Sequence, residues 1–349
     1  MAGIRDVAKE AKVSATTTSR FLNSDPDLMI TDETKRRILA AVEKLHYVKR
    51  SNKSRKTTRI GLLVTKTERD EYDDPYFRDI RLGILDGLKE HSLDIGVTYH
   101  IGDKIDPMML QGLDAFVIVG TLEHAWLDKI YAANQNIVLV DDYYGPANID
   151  AVYPDFQQST TAVLERLTKQ GHQRISFIGG AAMSWRESGK IVWHPEGDLR
   201  LRTYKQWMED HDLGQYSQSF IGGWDYMDGA EQTRQLLQHF HERTDFPTAL
   251  VVASDPLAIG VYRELHTAYI RMPEDLAVIS FDNSAVADYL TPSLTSVKLR
   301  PYEMGKSAVR MAAERIQGTR DYPLRVLLPT EIIGRESDDY SRKAEEKTS

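Results

Sequence analysis

Residues 4–23 constrain the chain more than any other stretch. Ile4, Val7, Ala8 and Ala11 recur at i, i+3, i+4 and i+7, the spacing that gives a short helix one apolar face. Lys12-Val13 breaks the pattern. Ser14 then has the side chain of an N-cap for a second helix, whose apolar side carries Val13, Phe21 and Leu22. A third helix is predicted from Thr31 as N-cap through Ile38, Leu39, Val42 and Leu45, enough to close a three-helix core. The second helix would present Ala15, Thr16, Thr17, Ser19 and Arg20, small hydroxylated side chains and one guanidinium suited to base edges in a major groove.

Charge points the same way. Residues 1–59 hold fourteen Lys and Arg against seven Asp and Glu, a balance of +7; the whole chain is −8, so the remainder carries −15. A basic head on an acidic body implies a local polyanion partner. Lys49 to Arg59 has six basic residues and no acid, a segment too charged to fold alone and one that phosphates could neutralise.

The run from Asp6 to Asn23 resembles the headpiece of the lac repressor / galactose repressor family, which opens D-V-A-x-x-A-G-V-S-x-x-T-V-S-R-x-x-N. Asp6, Val7, Ala8, Ala11, Val13, Ser14, Thr17, Ser19, Arg20 and Asn23 match in order without gaps, while Lys12 replaces the usual glycine and Thr18 the usual valine. Lysine entering the left-handed region there would cost roughly 1 kcal/mol. The resemblance implies that Ala15, Thr16, Thr17 and Arg20 reach base edges and that Ser14, Ser19, Asn23, Thr31 and Thr34 hold phosphates of double-stranded operator DNA. Tyr47 matches the aromatic residue before the family's hinge helix, and Arg50 and Lys53 would meet phosphates. The family's minor-groove leucine and its proline and alanine-arginine signature are missing from this linker, which implies less bending at the operator centre.

Beyond the linker, apolar runs alternate with helical stretches. Ile60–Val64, Asp94–Tyr99, Ala115–Val119, Ile137–Val140, Arg174–Ile178, Ala249–Ala253 and Leu276–Phe281 read as strands, and Phe77–His91 as a helix. Such alternation implies right-handed crossovers, parallel sheets and a ligand at the carboxyl ends of the strands. The family resemblance continues through Gly171-His172-Gln173-Arg174-Ile175, Phe177-Ile178-Gly179-Gly180, Pro247–Leu250, Ser254–Gly260 and Pro292–Val297. It implies the two-lobed α/β fold of periplasmic sugar-binding proteins, with crossings near residues 158, 287 and 320. The expected organisation is an all-α headpiece (1–48), a basic linker (49–59), a two-lobed effector and dimerisation domain (60–335), and a disordered polar tail (336–349).

Carried over residue by residue, the effector cleft contains Asp74, Tyr76, Phe77, Arg200, Trp224, Ser254, Asp255 and Asp282. Carboxylates and a guanidinium grip paired hydroxyls, and an indole covers the C–H face of a pyranose. Asp74, Asp255 and Asp282 could equally cap helices or start turns, and Trp224 could simply pack. Residues 181–199, longer than in the family, put Trp185 and Trp193 either over a disaccharide or on a surface or subunit contact. The loop Asp73–Phe77 resembles that of repressors controlling galactoside hydrolysis, which narrows the expected effector to galactose or a galactoside.

Zero cysteines removes disulfides, thiol catalysis and thiolate metal sites, and no histidine has a partner at metal-ligand spacing. Neither G-x-G-x-x-G, nor a P-loop, nor G-x-S-x-G occurs, so neither an enzyme nor a cofactor is expected. Paired carboxylates alone would also fit a glycosidase, but that reading leaves the basic head without a purpose. A secreted sugar-binding protein would need a leader where the helix-turn-helix stands. With no apolar run long enough to span a membrane, a cytoplasmic location is expected. Within the family, a co-repressed member answering to a purine or a phosphoprotein is the remaining alternative; Asp74 and Asp282 would repel a phosphate. Without leucine heptads near the C-terminus, homodimers are expected rather than tetramers.

Overall fold

A computed structural model of the chain describes residues 4–22, 30–45, 58–103, 105, 110–240 and 245–339, apart from the side chains of Asp32, Glu43, Tyr72 and Asp73. The chain divides into two compact units, residues 1–57 and 58–349.

In the first unit, α1 (Ile4–Ala11), α2 (Ala15–Leu22) and α3 (Asp32–Lys44) enclose Val7, Ala11, Ile38 and Ala41, with Val13, Phe21, Val42 and Leu45 packed around them. Leu39, expected in this core, is exposed, because it sits a third of a turn from Ile38 on the flank of α3. The tight turn is made by Lys12 at φ 55°, followed by Ser14 Oγ accepting from the Thr17 amide at 2.9 Å. Thr18 is buried, and its hydroxyl donates to the Ser14 carbonyl one turn back, so the polar replacement for valine is hydrogen-bonded. Thr31 caps α3 by accepting from the Thr34 amide at 3.3 Å.

The second unit begins with β1 (Arg59–Val64), α4 (Glu68–Asp73), α5 (Pro75–His91), β2 (Asp94–His100), β3 (Ala115–Val119), α6 (His124–Ala133), β4 (Ile137–Val140) and β5 (Asp150–Pro154). It continues with α7 (Phe156–Lys169), β6 (Ile175–Gly180), β7 (Ala182–Trp185), β8 (Ile191–His194), α8 (Leu199–Asp210), β9 (Gln218–Gly222), α9 (Tyr226–His239), β10 (Ala249–Val252) and α10 (Asp255–Thr267). Last come β11 (Ala277–Asp282), α11 (Val286–Tyr289), β12 (Thr295–Lys298), α12 (Pro301–Gln317), β13 (Arg325–Leu328) and β14 (Glu331–Ile333). Arg59, read as the end of the linker, is the first residue of β1 and pairs with Asp94.

Among the described residues two six-stranded sheets form, one per lobe, in the orders β13-β5-β4-β3-β1-β2 and β14-β12-β11-β10-β6-β9. All pairings within them are parallel except β12 with β14. The chain crosses between lobes at Asp155, close to the expected 158, and at Leu299-Arg300 and Pro329-Thr330 rather than near 287 and 320. The later crossings are displaced because β12 still belongs to the second sheet and β13 to the first. The three crossings are tied together: the Asp155 amide donates to Leu328 O at 3.1 Å, and Arg300 Nε to Pro329 O at 3.2 Å. On the first lobe, α5 and α12 pack so closely that a Cβ on Gly83 would lie 1.9 Å from Tyr302 O, which is why glycine stands there.

The expected disordered tail starts too early. Ser337 and Asp338 are fully buried; Asp338 receives Arg166 Nε at 2.5 Å and the Thr295 hydroxyl at 2.6 Å, and the Val278 amide donates to Ser337 O. A charged tail segment folds here because a guanidinium and a hydroxyl satisfy its carboxylate. Residues 340–349 of that expectation lie outside the described residues. Among the described residues no helix is long and apolar enough to cross a membrane.

Candidate functional site

Both lobes open onto one cavity of about 200 Å³ at the carboxyl ends of their strands. From the first lobe come Thr65 and Lys66 after β1, Asp74, Tyr76 and Phe77 at the start of α5, Thr121 after β3, and Asp141, Tyr143 and Tyr144 after β4. The second lobe supplies Ala182 and Met183 on β7, Asp198 and Arg200 at the start of α8, Trp224, Ser254 and Asp282. Phe156 and Leu299 line it beside the crossings.

Each side chain is held by its own element. Asp74 caps α5, accepting from the Tyr76 amide at 3.0 Å, and also faces the cavity, so capping and contact coexist. Lys66 Nζ lies 4.6 Å from the Phe77 ring centroid. Ser254 caps α10 and remains on the wall. Arg200 is buried and gripped from both sides of Asp198, with Nε to Oδ1 at 3.0 Å and NH2 to Oδ2 at 2.8 Å, while NH1 donates to Ala253 O at 2.7 Å. The guanidinium lies over aromatic rings, its central carbon 4.3 Å from the Phe156 centroid and 4.9 Å from Trp224. The indole N–H of Trp224 donates to Ala181 O at 2.9 Å, and its ring lies over Gly180, where a Cβ would come within 2.2 Å of it. The indole is therefore fixed with its remaining surface on the cavity.

Asp255 does not reach the cavity, contrary to the sequence expectation. Its carboxylate is turned inward and filled by the Ser284 amide and hydroxyl at 2.7 and 2.9 Å and by the Ser296 hydroxyl at 2.8 Å. It braces the loop that carries Asp282, whose Oδ2 accepts from the Asp255 amide at 3.1 Å.

Sequence reasoning missed Asp141. It follows β4 at a strand's carboxyl end, in a tandem acid pair with Asp142, and that position was the available signal. Its backbone is left-handed at φ 62°, and Asp282 likewise lies at φ 103°, so two carboxylates are aimed into the cleft by conformations uncommon for residues with a Cβ. Burial pushes the Asp141 carboxyl up to about 7, against the hydrogen bond from Tyr76 and the Arg200 charge. Burial and the neighbouring Asp255 charge push Asp282 well above the carboxylate range, and burial raises Asp74. For Arg200 burial acts downward, but Asp198 outweighs it and holds the guanidinium charged. A cavity of aromatic faces with carboxylates of raised proton affinity suits a neutral ligand rich in hydroxyls better than an anion.

The loop at 181–199 is a hairpin of β7 and β8. Trp185 lies outside the cavity lining, packed instead into the first lobe's apolar cluster around Leu122 and Trp126, and Trp193 is half exposed.

On the first unit, Ser14, Ala15, Thr16 and Arg20 are exposed on one side of the turn and α2, with Thr17 and Ser19 half-buried beside them. The Ser14 and Thr17 hydroxyls share a hydrogen bond at 2.7 Å. Thr31 is exposed and Thr34 half-buried at the start of α3. Asn23, Tyr47, Arg50 and Lys53 lie outside the described residues. No group of three or more His, Cys, Asp or Glu among the described residues could hold a metal ion.

Residues 3–49 match the family described as bacterial regulatory proteins, lacI family, and residues 164–337 match a periplasmic binding protein-like domain. The chain is 30% identical over 338 residues to the HTH-type transcriptional regulator GanR of Bacillus subtilis (strain 168), covering 97% of this chain and 99% of that one. To the HTH-type transcriptional regulator GalR of Lacticaseibacillus casei it is 30% identical over 343 residues, covering 97% and 99%. The solved complex of the transcriptional regulator CelR with cellobiose shares the fold, at 24% identity and a TM-score of 0.67, over 97% of this chain and 100% of that one. The lac repressor dimer bound to operator does so at 21% identity and a TM-score of 0.69, over 97% and 99%. With a helix-turn-helix of that family at one end, a two-lobed binding fold behind it and full-length likeness to HTH-type regulators, the chain belongs to the lacI family of bacterial transcriptional regulators and is not an enzyme.

Proposed function

We propose that the chain represses transcription as a cytoplasmic homodimer and is released from its operator by a small neutral carbohydrate, galactose or a galactoside. Two headpieces, residues 1–48, meet successive half-sites of a near-palindromic operator. Thr16, Thr17 and Arg20 read base edges and Ala15 touches a thymine methyl, while Ser14, Ser19, Asn23, Thr31 and Thr34 hold phosphates. Tyr47, Arg50 and Lys53 carry the linker across the backbone.

The observation that carries the effector reading is the cavity itself, where Asp74, Asp141, Asp282 and the Asp198-bound Arg200 face aromatic rings from both lobes. Relatives support a sugar as the class: one neighbour in fold is a cellobiose complex, and a relative in Haemophilus influenzae is the ribose operon repressor. The effector must bind one arrangement of the lobes better than the other, since equal affinity would shift nothing.

The test is fluorescence anisotropy of labelled DNA from upstream of the protein's own gene, challenged with galactose, lactose, raffinose, glucose and purines. Release by galactose or a galactoside is expected. Tightening by a purine would replace this reading with co-repression, and loss of binding to competitor DNA at moderate salt would overturn the operator reading. In the same assay, Arg20→Ala is expected to abolish discrimination between operator and scrambled DNA. Lys53→Ala should weaken both equally and lower the salt slope by about 1.

A further inference from the structure

The β7–β8 hairpin leaves the second lobe directly after β6 and ends on the first. The Trp185 amide donates to Thr121 O at 3.1 Å, the Glu123 amide donates to Trp185 O at 2.8 Å, and Leu122 and Trp185 form a parallel bridge. Arg186 Nε meets Glu123 Oε1 at 3.2 Å, and Lys129 Nζ meets Glu187 Oε2 at 2.5 Å. The Trp185 ring enters the first lobe's apolar cluster, yet its indole Nε1 is buried without a hydrogen-bond partner among the described residues. Ala182 and Met183, at the start of the same strand, line the cavity. The three covalent crossings join the lobes at Asp155, Leu299-Arg300 and Pro329-Thr330, and the hairpin adds a fourth connection made of hydrogen bonds, ion pairs and one plugged ring.

We propose that the hairpin is a releasable latch across the effector cleft, with Trp185 as the positioning residue that seats Met183 against the bound sugar and sets the rates of its entry and exit. The inference rests on the cleft being the effector site. A ring anchored by apolar packing and two backbone hydrogen bonds closes the cleft, and its unsatisfied indole N–H leaves the closed state easier to undo than a fully paired anchor would be. The exposed ion pairs at the hairpin tip guide reclosure and contribute little strength.

The chain has no cysteine, so Lys129→Cys with Glu187→Cys gives a selective pair that a short bis-maleimide can bridge. In the full-length protein, sugar association with galactose, lactose, raffinose and glucose is measured by stopped flow. Bridging is expected to slow association of the bound sugar at least tenfold, with singly labelled variants unchanged. Trp185→Ala should speed dissociation at least fivefold and raise hydrogen exchange at the Glu123 and Trp185 amides at least tenfold, while sugar-free operator affinity stays unchanged. Trp185→Phe, which keeps a ring in the plug, should stay within threefold of wild type. Wild-type sugar exchange in the bridged protein, or unchanged amide protection in Trp185→Ala, would overturn the latch. Failure of all four sugars to bind the wild-type chain would instead overturn the cleft reading, whatever the amides report.

Discussion

Tyr76 donates its phenolic hydrogen to Asp141 Oδ1 over 2.9 Å, tying the first turn of α5 to the end of β4. The bond is directed at a carboxylate whose charged form is disfavoured by burial. Asp141 is raised from 3.8 to about 7, so the folded state holds a proton the unfolded chain has released. Its contribution to stability is complete below about pH 4 and is lost as pH rises through about 7. Asp141→Asn, which tolerates the left-handed backbone and still accepts from Tyr76, removes that slope. Thermal melts should show the variant about 7 °C more stable than wild type at pH 8, for about 4 kcal/mol, with the gap closing toward pH 4. A constant gap across that range would mean that Asp141 does not titrate as its surroundings dictate.

Arg200 depends on Asp198 for its charge balance. Asp198→Asn leaves a buried guanidinium without its bidentate partner, an arrangement that costs about 3 kcal/mol. Urea melts should register that loss, and sugar titration should show affinity falling at least tenfold. Arg200→Ala should abolish the sugar response while operator binding persists; a variant that still responds fully would remove Arg200 from the site.

Gly180→Ala tests the indole. The added methyl would meet the Trp224 ring at 2.2 Å and push it off its hydrogen bond to Ala181 O. Overpacking of about 2 kcal/mol is expected, together with weaker sugar binding and unchanged operator affinity. Unchanged sugar affinity would mean the Trp224 face does not contact the ligand.

In the headpiece, Lys12 holds the turn at φ 55° with a Cβ in the way. Lys12→Gly should stabilise the first unit by about 1 kcal/mol. Hydrogen exchange at the Val13 amide, which donates to Ala8 O, should slow five- to tenfold. Faster exchange would show that the lysine is favoured there by something other than backbone geometry.

What could be read from the residues follows the range of the interactions. The headpiece was legible because its signals are local: apolar spacing, a Ser14 cap and a tight turn all lie within twenty residues. The central strands were legible because burial on both faces makes them continuous apolar runs. β5 escaped because it opens on Asp150, which becomes tolerable in a core only when Arg315 and Arg320 arrive from a distant helix and loop at 3.1 and 2.6 Å. The hairpin of β7 and β8 escaped because its four-residue strands form a sheet only with each other and carry no continuous apolar run. In the cleft, Asp74, Tyr76, Phe77, Arg200, Trp224, Ser254 and Asp282 are gathered on one cavity. Asp255 shows why a motif cannot decide a role: three hydrogen bonds from Ser284 and Ser296 turn its carboxylate away from the ligand space.

The first lobe borrows its edge strand and the helix that covers α5 from the far end of the chain. During synthesis, β5 leaves the ribosome with no β13 beside it, and α5 with no α12 to bury Ile80 and Ile84. At about 10 residues per second, completion waits roughly 17 s, while the headpiece needs nothing beyond its own residues. Each nascent chain thus carries a finished DNA-reading unit well before it has a sensor, and regulation by effector begins only once β13 has closed the first sheet.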